Sequence, residues 1–369
     1  MALYDITLTT LTPLHIGDGD ELRLRFDIVS IGGRTYRLDE DTILREKADQ
    51  LKPRQDGSYP LPGELLTKSD LQNSAYFRYI IPGFPRSKKT YAEVKSFIKD
   101  VHDRPYIPGS SLKGALRTAL AWNGWNEVKP ELERNAIGRR RNWAGQGLER
   151  KLFGKNPNYD LLRTLHVSDC FGPDKAGEGL VLVNAQVLTQ KSQGSPIEME
   201  ALRGDVEFTG TLKIDDILFE MPEARKLGFA KRRHWLDELI ARVQNHSRFR
   251  IQNLIDWYEK SGQYPRMTRF YKQLYNAALQ PNQALLQLGW GSGWDGKTFG
   301  SHLQEDIYLF EKIVKDFRLH KHQKGSPPRK PGDPFPRSKR AAMTVKDGEA
   351  VALAPFGWVL FEMDEMEEK

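Results

Sequence analysis

Gly289-Trp290-Gly291-Ser292-Gly293-Trp294-Asp295-Gly296-Lys297-Thr298 is the stretch on which the fold assignment turns. Four glycines in eight residues free the backbone to take positive φ and to approach a ligand with no side chain in the way. Successive bare N–H groups in such a loop form a concavity that suits a phosphate. Lys297 adds a positive charge, and Trp290 and Trp294 add flat faces. Residues 291–298 also satisfy G-x-x-x-x-G-K-[ST], the nucleotide-binding P-loop pattern, which counts only between a core strand and a helix. Here Phe270, Leu274, Ala277, Ala278 and Leu285 recur at helical spacing, broken by Pro281, so the preceding segment, 267–287, reads as helix. Gly300 disfavours a helix start, and only about 70 residues follow, too few for the βαβ sheet a P-loop opens. The stretch therefore reads as a loop against a nucleic-acid backbone rather than an ATPase built on Lys297 and Thr298.

Composition sets the outer limits. A chain of 369 residues can bury one elaborated core or two. A net charge of +7 points to a polyanionic partner. The single cysteine, Cys170, excludes an intrachain disulfide framework and fits the reducing cytoplasm. No apolar run reaches the ~20 residues of a membrane helix, and the N-terminus reads without a signal peptide.

Working outward, residues 2–10 alternate as a strand, with Tyr4, Ile6, Leu8 and Thr10 on one side. Residues 22–31 and 34–38 read as a hairpin about Gly32-Gly33. Residues 53–108, rich in proline, tyrosine and basic residues, read as an irregular insertion. A helix follows, with Ser110 or Ser111 as N-cap and an apolar stripe of Leu112, Ala115, Leu116, Ala119 and Leu120. Lys113 and Arg117 share its other side. Strands are expected over 162–171 and 180–191. Residues 197–202 and 206–214 are expected to pair with each other across Arg203-Gly204-Asp205. Helices are expected over 222–262, over 267–287 and near 303–318. Residues 320–340 read as basic loop, and 357–361 as a strand.

Candidate chemistry lies in four places. The free N–H groups of the helix at Ser110 and Ser111, with Lys113, favour an anion. Arg139, Arg140 and Arg141, with Trp143, form a basic patch. His15, two residues before Gly17, can stack on a base, bind a phosphate or serve as an acid or base in metal-independent RNA cleavage, but no partner group is evident for cleavage, and a structural turn histidine is the commoner role. His302, His320 and His322 lack accompanying cysteines and do not read as a metal site. Asp18, Asp20 and Glu21 read as a solvated hairpin tip.

Several blocks together resemble a known family. They are Leu14-His15-Ile16-Gly17, Ile107-Pro108-Gly109-Ser110-Ser111-Leu112-Lys113-Gly114-Ala115-Leu116-Arg117, Leu165-His166-Val167-Ser168-Asp169, Gly289 to Trp294, Pro336-Arg337-Ser338-Lys339-Arg340 and Pro355-Phe356-Gly357-Trp358-Val359. Their order and spacing resemble the RAMP superfamily of CRISPR RNA-binding subunits, and within it the family of fifth subunits of type III-A Csm effector complexes. The resemblance implies an α+β chain with a ferredoxin-like, RRM-type βαββαβ core and large helical insertions. It divides the chain into a core, 1–221, with the insertion 53–108, and a segment 222–369 carrying helices, the glycine loop and the last strand. It implies a non-catalytic subunit, without cofactor or metal, that caps the complex at the crRNA 3′ end and supports 3′-end maturation. The implied partners are crRNA, the filament-forming RAMP subunit, the small helical subunit and recruited cellular nucleases, with no membrane. On this reading RNA is met by His15, Gly17, Ser110, Ser111, Lys113 and Arg117, by Arg139 to Arg141, by Gly289, Gly291, Ser292, Gly293 and Lys297, and by Lys339 and Arg340. The filament relative cuts target RNA with an aspartate in its early loop. None of the carboxylates in Gly17-Asp18-Gly19-Asp20-Glu21 aligns with it, so that activity is not carried over.

Overall fold

The computed structural model of the chain describes residues 2–87, 92–132, 137–138, 140, 143–189, 193–320 and 329–366. Its strands are β1 (Ala2–Thr10), β2 (Gly17–Arg23), β3 (Ile28–Ile31), β4 (Arg34–Leu38), β5 (Phe77–Pro82), β6 (Glu93–Phe97), β7 (Tyr106–Ile107), β8 (Leu165–Val167), β9 (Cys170–Phe171), β10 (Leu180–Thr189), β11 (Gln193–Leu202), β12 (Glu207–Ile214), β13 (Gln283–Gln287), β14 (Ser338–Lys346), β15 (Glu349–Pro355) and β16 (Trp358–Glu365). The helices that matter here are α1 (Glu40–Glu46), α2 (Gly109–Val128), α3 (Gln146–Phe153), α4 (Leu239–Ser261), α5 (Pro265–Tyr275), α6 (Gly293–Lys297) and α7 (Ile307–Asp316). The chain is a mixed α/β protein. No helix among the described residues is long and apolar enough to cross a membrane.

The first sheet runs β13-β16-β1-β12-β9-β7, with β8 also on β12. Ile6, Leu8 and Thr10 of β1 face inward, as their alternation predicts. The apolar stripe of α2 packs in the same core cluster as Ile6, Leu8, Phe208 and Phe361, so the helix lies on this sheet. In chain order β1, α2, β8 and β12 make a βαββ run. The place beside β1 opposite β12 is taken by β16, antiparallel to β1. β13 lies outside β16, paired to it antiparallel. The last described strand thus lies beside the first, inside the sheet.

The second sheet runs β15-β14-β10-β11-β6-β2, and a third runs β3-β4-β5. Four expectations need correcting here. Residues 53–108 are not an irregular insertion, because β5, β6 and β7 each join a different sheet. β11 and β12 do not pair. β11 lies between β10 and β6, while β12 pairs with β1. The helix expected over 267–287 ends with α5 at Tyr275, and β13 follows. Its residues alternate between two cores, Leu285 into one and Ala284 and Leu286 into the other, which is a period of two. Finally, β14 begins at Ser338, so Lys339 and Arg340 are strand residues rather than loop.

Gly124, four residues before the end of α2, has no room for a side chain. A methyl group there would sit deep inside the ring of Trp235, itself only 1% exposed. Alanine gains about 1 kcal/mol of helix propensity over glycine. Overpacking a filled core costs about 1–3 kcal/mol, and an immovable indole puts this site at the upper end. Gly124→Ala is therefore expected to destabilise the chain by about 1–2 kcal/mol net, read as a lower denaturant midpoint. An unchanged or higher midpoint would show that the helix and the indole separate easily.

Candidate nucleic-acid interface

The glycine loop is a strand-to-helix connection, β13 to α6. The expectation that helix precedes it is therefore wrong, but the P-loop reading gains nothing. β13 is an antiparallel edge strand, and α6 spans five residues. A phosphate-binding P-loop needs a core parallel strand and a full helix.

Backbone hydrogen bonds fix the loop. Trp290 N–H donates to the His15 carbonyl at 2.8 Å. Leu288 N–H donates to the Gly357 carbonyl, and Gly357 N–H to the Pro13 carbonyl, both at 2.8 Å. Gly289 and Gly357 take φ of 65° and 82°. A Cβ on either would collide with a carbonyl, that of His15 or of Leu288. Glycine is required at both for conformation and for space. The Ser292 hydroxyl donates to the Gly289 carbonyl at 2.9 Å.

Charge gathers around this loop. Arg340 is exposed, with its guanidinium 4.7 Å from the Trp290 ring centroid. Trp290 in turn sets its ring edge-on to Phe356, 5.1 Å between centroids. Lys297 is exposed and lies in a 500 Å³ cavity shared with Arg117, Gly114 and Trp294. Burial of its stem, and then the charge of Arg340, hold the Lys297 ammonium below its usual range. Burial also lowers that of Lys339. Beneath the loop sits Arg250, on the inner face of α4 and 5% exposed. It donates to the Gln287 side chain and, at 3.1 Å, to the Ser292 carbonyl. The structure therefore unites Gly289, Gly291, Ser292, Gly293, Lys297, Lys339 and Arg340, and adds Arg250. Sequence inspection missed Arg250 because it reads as one more basic residue on a helix.

Other candidates are placed differently. His15 is 3% exposed, so it cannot stack on a base in this packing. Its Nδ1–H donates to the Glu200 carbonyl at 2.6 Å, and its ring stands edge-on to Phe97. Burial lowers its pKa despite that bond, so the ring is held neutral. Glu200 is itself enclosed, taking hydrogen bonds from Tyr79, Lys99 and the Phe97 N–H. Gly17 is exposed at the start of β2. Asp18 accepts from Ser96, and Glu21 pairs with Lys95. Among the described residues no cluster suits a metal ion.

Helix α2 begins two to three residues earlier than expected, at Gly109, with Pro108 as N-cap. Ser110 and Ser111 are therefore helical residues, not caps. Gly109 N–H donates to the Asp169 carboxylate at 2.8 Å. Lys113 Nζ donates to the Leu165 carbonyl at 2.7 Å, and burial lowers its pKa. Arg117 is paired with both Glu149 and Asp160 and covers the Phe153 ring, so much of its charge is already met. Arg140 is exposed, and Arg139 and Arg141 lie outside the described residues.

These joints bring the sequence blocks together. Residues 107–117 meet 165–169 at the start of α2, and residues 13–17, 288–294 and 355–359 meet at the glycine loop. A model of the RAMP superfamily matches residues 7–294. The chain is 28% identical over 247 residues to the CRISPR system protein Csm5 of Streptococcus thermophilus, covering 58% of this chain and 65% of that protein. It is 24% identical to the Csm5 of Methanocaldococcus jannaschii over 96% of this chain and 88% of that one. Among solved structures it is similar to a chain of a Csm–crRNA–target RNA ternary complex of a type III-A system, with TM-score 0.66 and 23% identity over 97% of this chain and all of that one. A crystal structure of T. onnurineus Csm5 gives TM-score 0.58 and 22% identity over 96% of this chain and 99% of that one.

The buried imidazoles give a pH dependence. His15 and His246 both titrate below their ordinary value because burial opposes the charged form, for His246 with a further push from Arg250. At pH 8 both folded and unfolded rings are neutral, and neither contributes. As pH falls through about 6.5 the unfolded rings take up protons that the folded rings refuse, so folding stability drops. His15→Asn keeps a donor where Nδ1–H lies but cannot titrate. Denaturation midpoints measured from pH 8 to pH 5 are expected to fall less steeply in His15→Asn than in the wild type. Parallel curves would show that His15 is not held neutral.

Proposed function

We propose that this chain, which belongs to the RAMP superfamily, holds crRNA as a subunit of a type III-A CRISPR (Csm) effector complex. The observation that carries the proposal is the glycine loop, pinned by backbone hydrogen bonds and ringed by Lys297, Lys339 and Arg340. A guide of any sequence has to be gripped by its phosphates and sugars, not by base edges. Bare glycine backbone, cations and an indole face supply that kind of contact. The Csm5 relatives support the assignment to this subunit type. Because the match spans about two thirds of the Streptococcus protein, the partners belong to the proposal. They are crRNA, the filament-forming RAMP subunit and the small helical subunit, in the cytoplasm.

The finer reading places the chain at the crRNA 3′ end, supporting maturation through recruited cellular nucleases. It carries no chemistry of its own there, and the burial of His15 removes the residue that a metal-independent cleavage would have used. The βαββ run of β1, α2, β8 and β12 supports a ferredoxin-like core whose fourth strand is β16, with residues 215–357 inserted before it. This makes 222–369 a helical segment that returns to finish the core.

Fluorescence anisotropy with labelled single-stranded RNA of unrelated sequences tests the proposal. The expected result is similar affinity for all of them, falling with salt at a log–log slope of about −0.7 per phosphate contacted. Lys297→Ala and Arg340→Ala are each expected to flatten that slope by about 0.7, with ATP binding absent in every case. Salt-independent binding, or marked preference for one short sequence, would count against a guide holder.

A further inference from the structure

Behind the glycine loop lies a 180 Å³ pocket between α4, the loop and β14. Arg250, Tyr258, Ser292, Asp295 and Lys339 line it, and Arg340 stands at its exposed side. Its polar groups are not all satisfied from within the protein. Arg250 Nε is buried without a hydrogen-bond partner, and so is the hydroxyl of Tyr258, a residue 1% exposed. The Lys339 ammonium forms no hydrogen bond or ion pair among the described residues, and lies 6.0 Å from the Trp257 ring centroid. The carboxylate in the lining, Asp295, forms no close ion pair with Arg250 or Lys339 but favours the charged form of both, and so offsets one of the cations. Buried polar groups are ordinarily paired, and a cluster of unpaired donors around one cavity calls for an acceptor.

We propose that this pocket receives a single phosphate group of the bound RNA, held by Arg250, Lys339 and the Tyr258 hydroxyl. The inference rests on the RNA-holding function proposed above and locates one of its phosphate contacts. Three cations against one carboxylate leave a net positive charge for an anion. The cavity is below the ~300 Å³ at which pockets begin to take whole small molecules, so it admits a phosphate and not a nucleotide. Arg250 Nη2 is already held by the Gln287 side chain and the Ser292 carbonyl, which fixes the guanidinium plane and leaves Nε to donate to a phosphate oxygen. Ser292 ties the pocket to the loop, so a phosphate seated here meets the same backbone that borders Lys297 and Arg340.

The test uses the full chain, with labelled RNA, inorganic phosphate as competitor, and the variants Lys339→Gln and Tyr258→Phe. Circular dichroism confirms that each variant folds. Lys339→Gln is expected to weaken RNA binding about three- to tenfold at moderate salt and to flatten the salt slope by about 0.7. Tyr258→Phe is expected to weaken RNA binding while leaving the melting temperature equal or higher, since it removes an unpaired hydroxyl and keeps the ring. Inorganic phosphate at millimolar concentration is expected to compete with RNA on the wild type and not on Lys339→Gln. RNA binding by both variants with wild-type affinity and slope would overturn the inference and leave the RNA-holding function standing. Protection from heat by inorganic phosphate that never displaces RNA would also overturn it, by making the ligand a free anion. Failure of the wild type to bind RNA at all would remove both readings.

Discussion

The structure depends on the segment Thr10–Ile16, which crosses from the first sheet to the second and bonds to three remote parts of the chain. Thr10 and Leu14 exchange backbone hydrogen bonds with residues 202–206. Leu11 N–H donates to the Trp358 carbonyl, and the Thr12 hydroxyl accepts from Trp358 N–H. Pro13 and His15 offer their carbonyls to Gly357 and Trp290. Each such bond contributes only about 0.5–1.5 kcal/mol net, but a buried group left unpaired costs about 1–3. Displacing any one of the three partners would strand groups on the others. The glycine loop is therefore rigid where it meets the core, and its free face has a defined position relative to Lys339 and Arg340.

Local pattern revealed the parts of the fold that local pattern controls. The alternation in β1, the stripe of α2 and the turn between β3 and β4 are written within a few residues, and each formed as expected. What failed was pairing decided at a distance. Ala284 to Leu288 is an apolar run too short to separate strand from helix by period, and its identity is set by β16, which lies some seventy residues on. Residues 197–214 look like a hairpin because two strands flank Arg203-Gly204-Asp205. The crossing segment comes between them, taking Leu202 on one side and Asp205 and Val206 on the other. Strands β5, β6 and β7 were hidden in the same way, by partners elsewhere in the chain.

The candidate site divides along the same line. The glycine loop was legible because glycine at this density has few purposes. Arg250 was not, because its burial is created when the loop folds over α4. His15 failed in the opposite sense. Beside a glycine in a turn it looks available, yet the turn is the crossing segment and its ring is packed against Phe97. Exposure at such places is a property of the assembled chain and leaves no mark in the local sequence.

Net charge alone is a weak guide to where a polyanion binds, and this chain shows why. Arg37, Arg117, Arg233 and Arg329 are each engaged by carboxylates of the same chain. Their fields are largely cancelled at the distance of a ligand, whatever they add to the formal total of +7. Lys297, Lys339, Arg340 and the buried Arg250 form no ion pair with a carboxylate among the described residues, although Asp295 is near enough to favour the charged forms of Arg250 and Lys339. These four converge on one loop from α6, β14 and α4. Asp295 meets only part of the charge of Arg250, Lys339 and Arg340, and an incompletely paired guanidinium in the interior is costly, so a ligand that brings the remaining negative charge fits the phosphate-sized cavity and the bare backbone beside it.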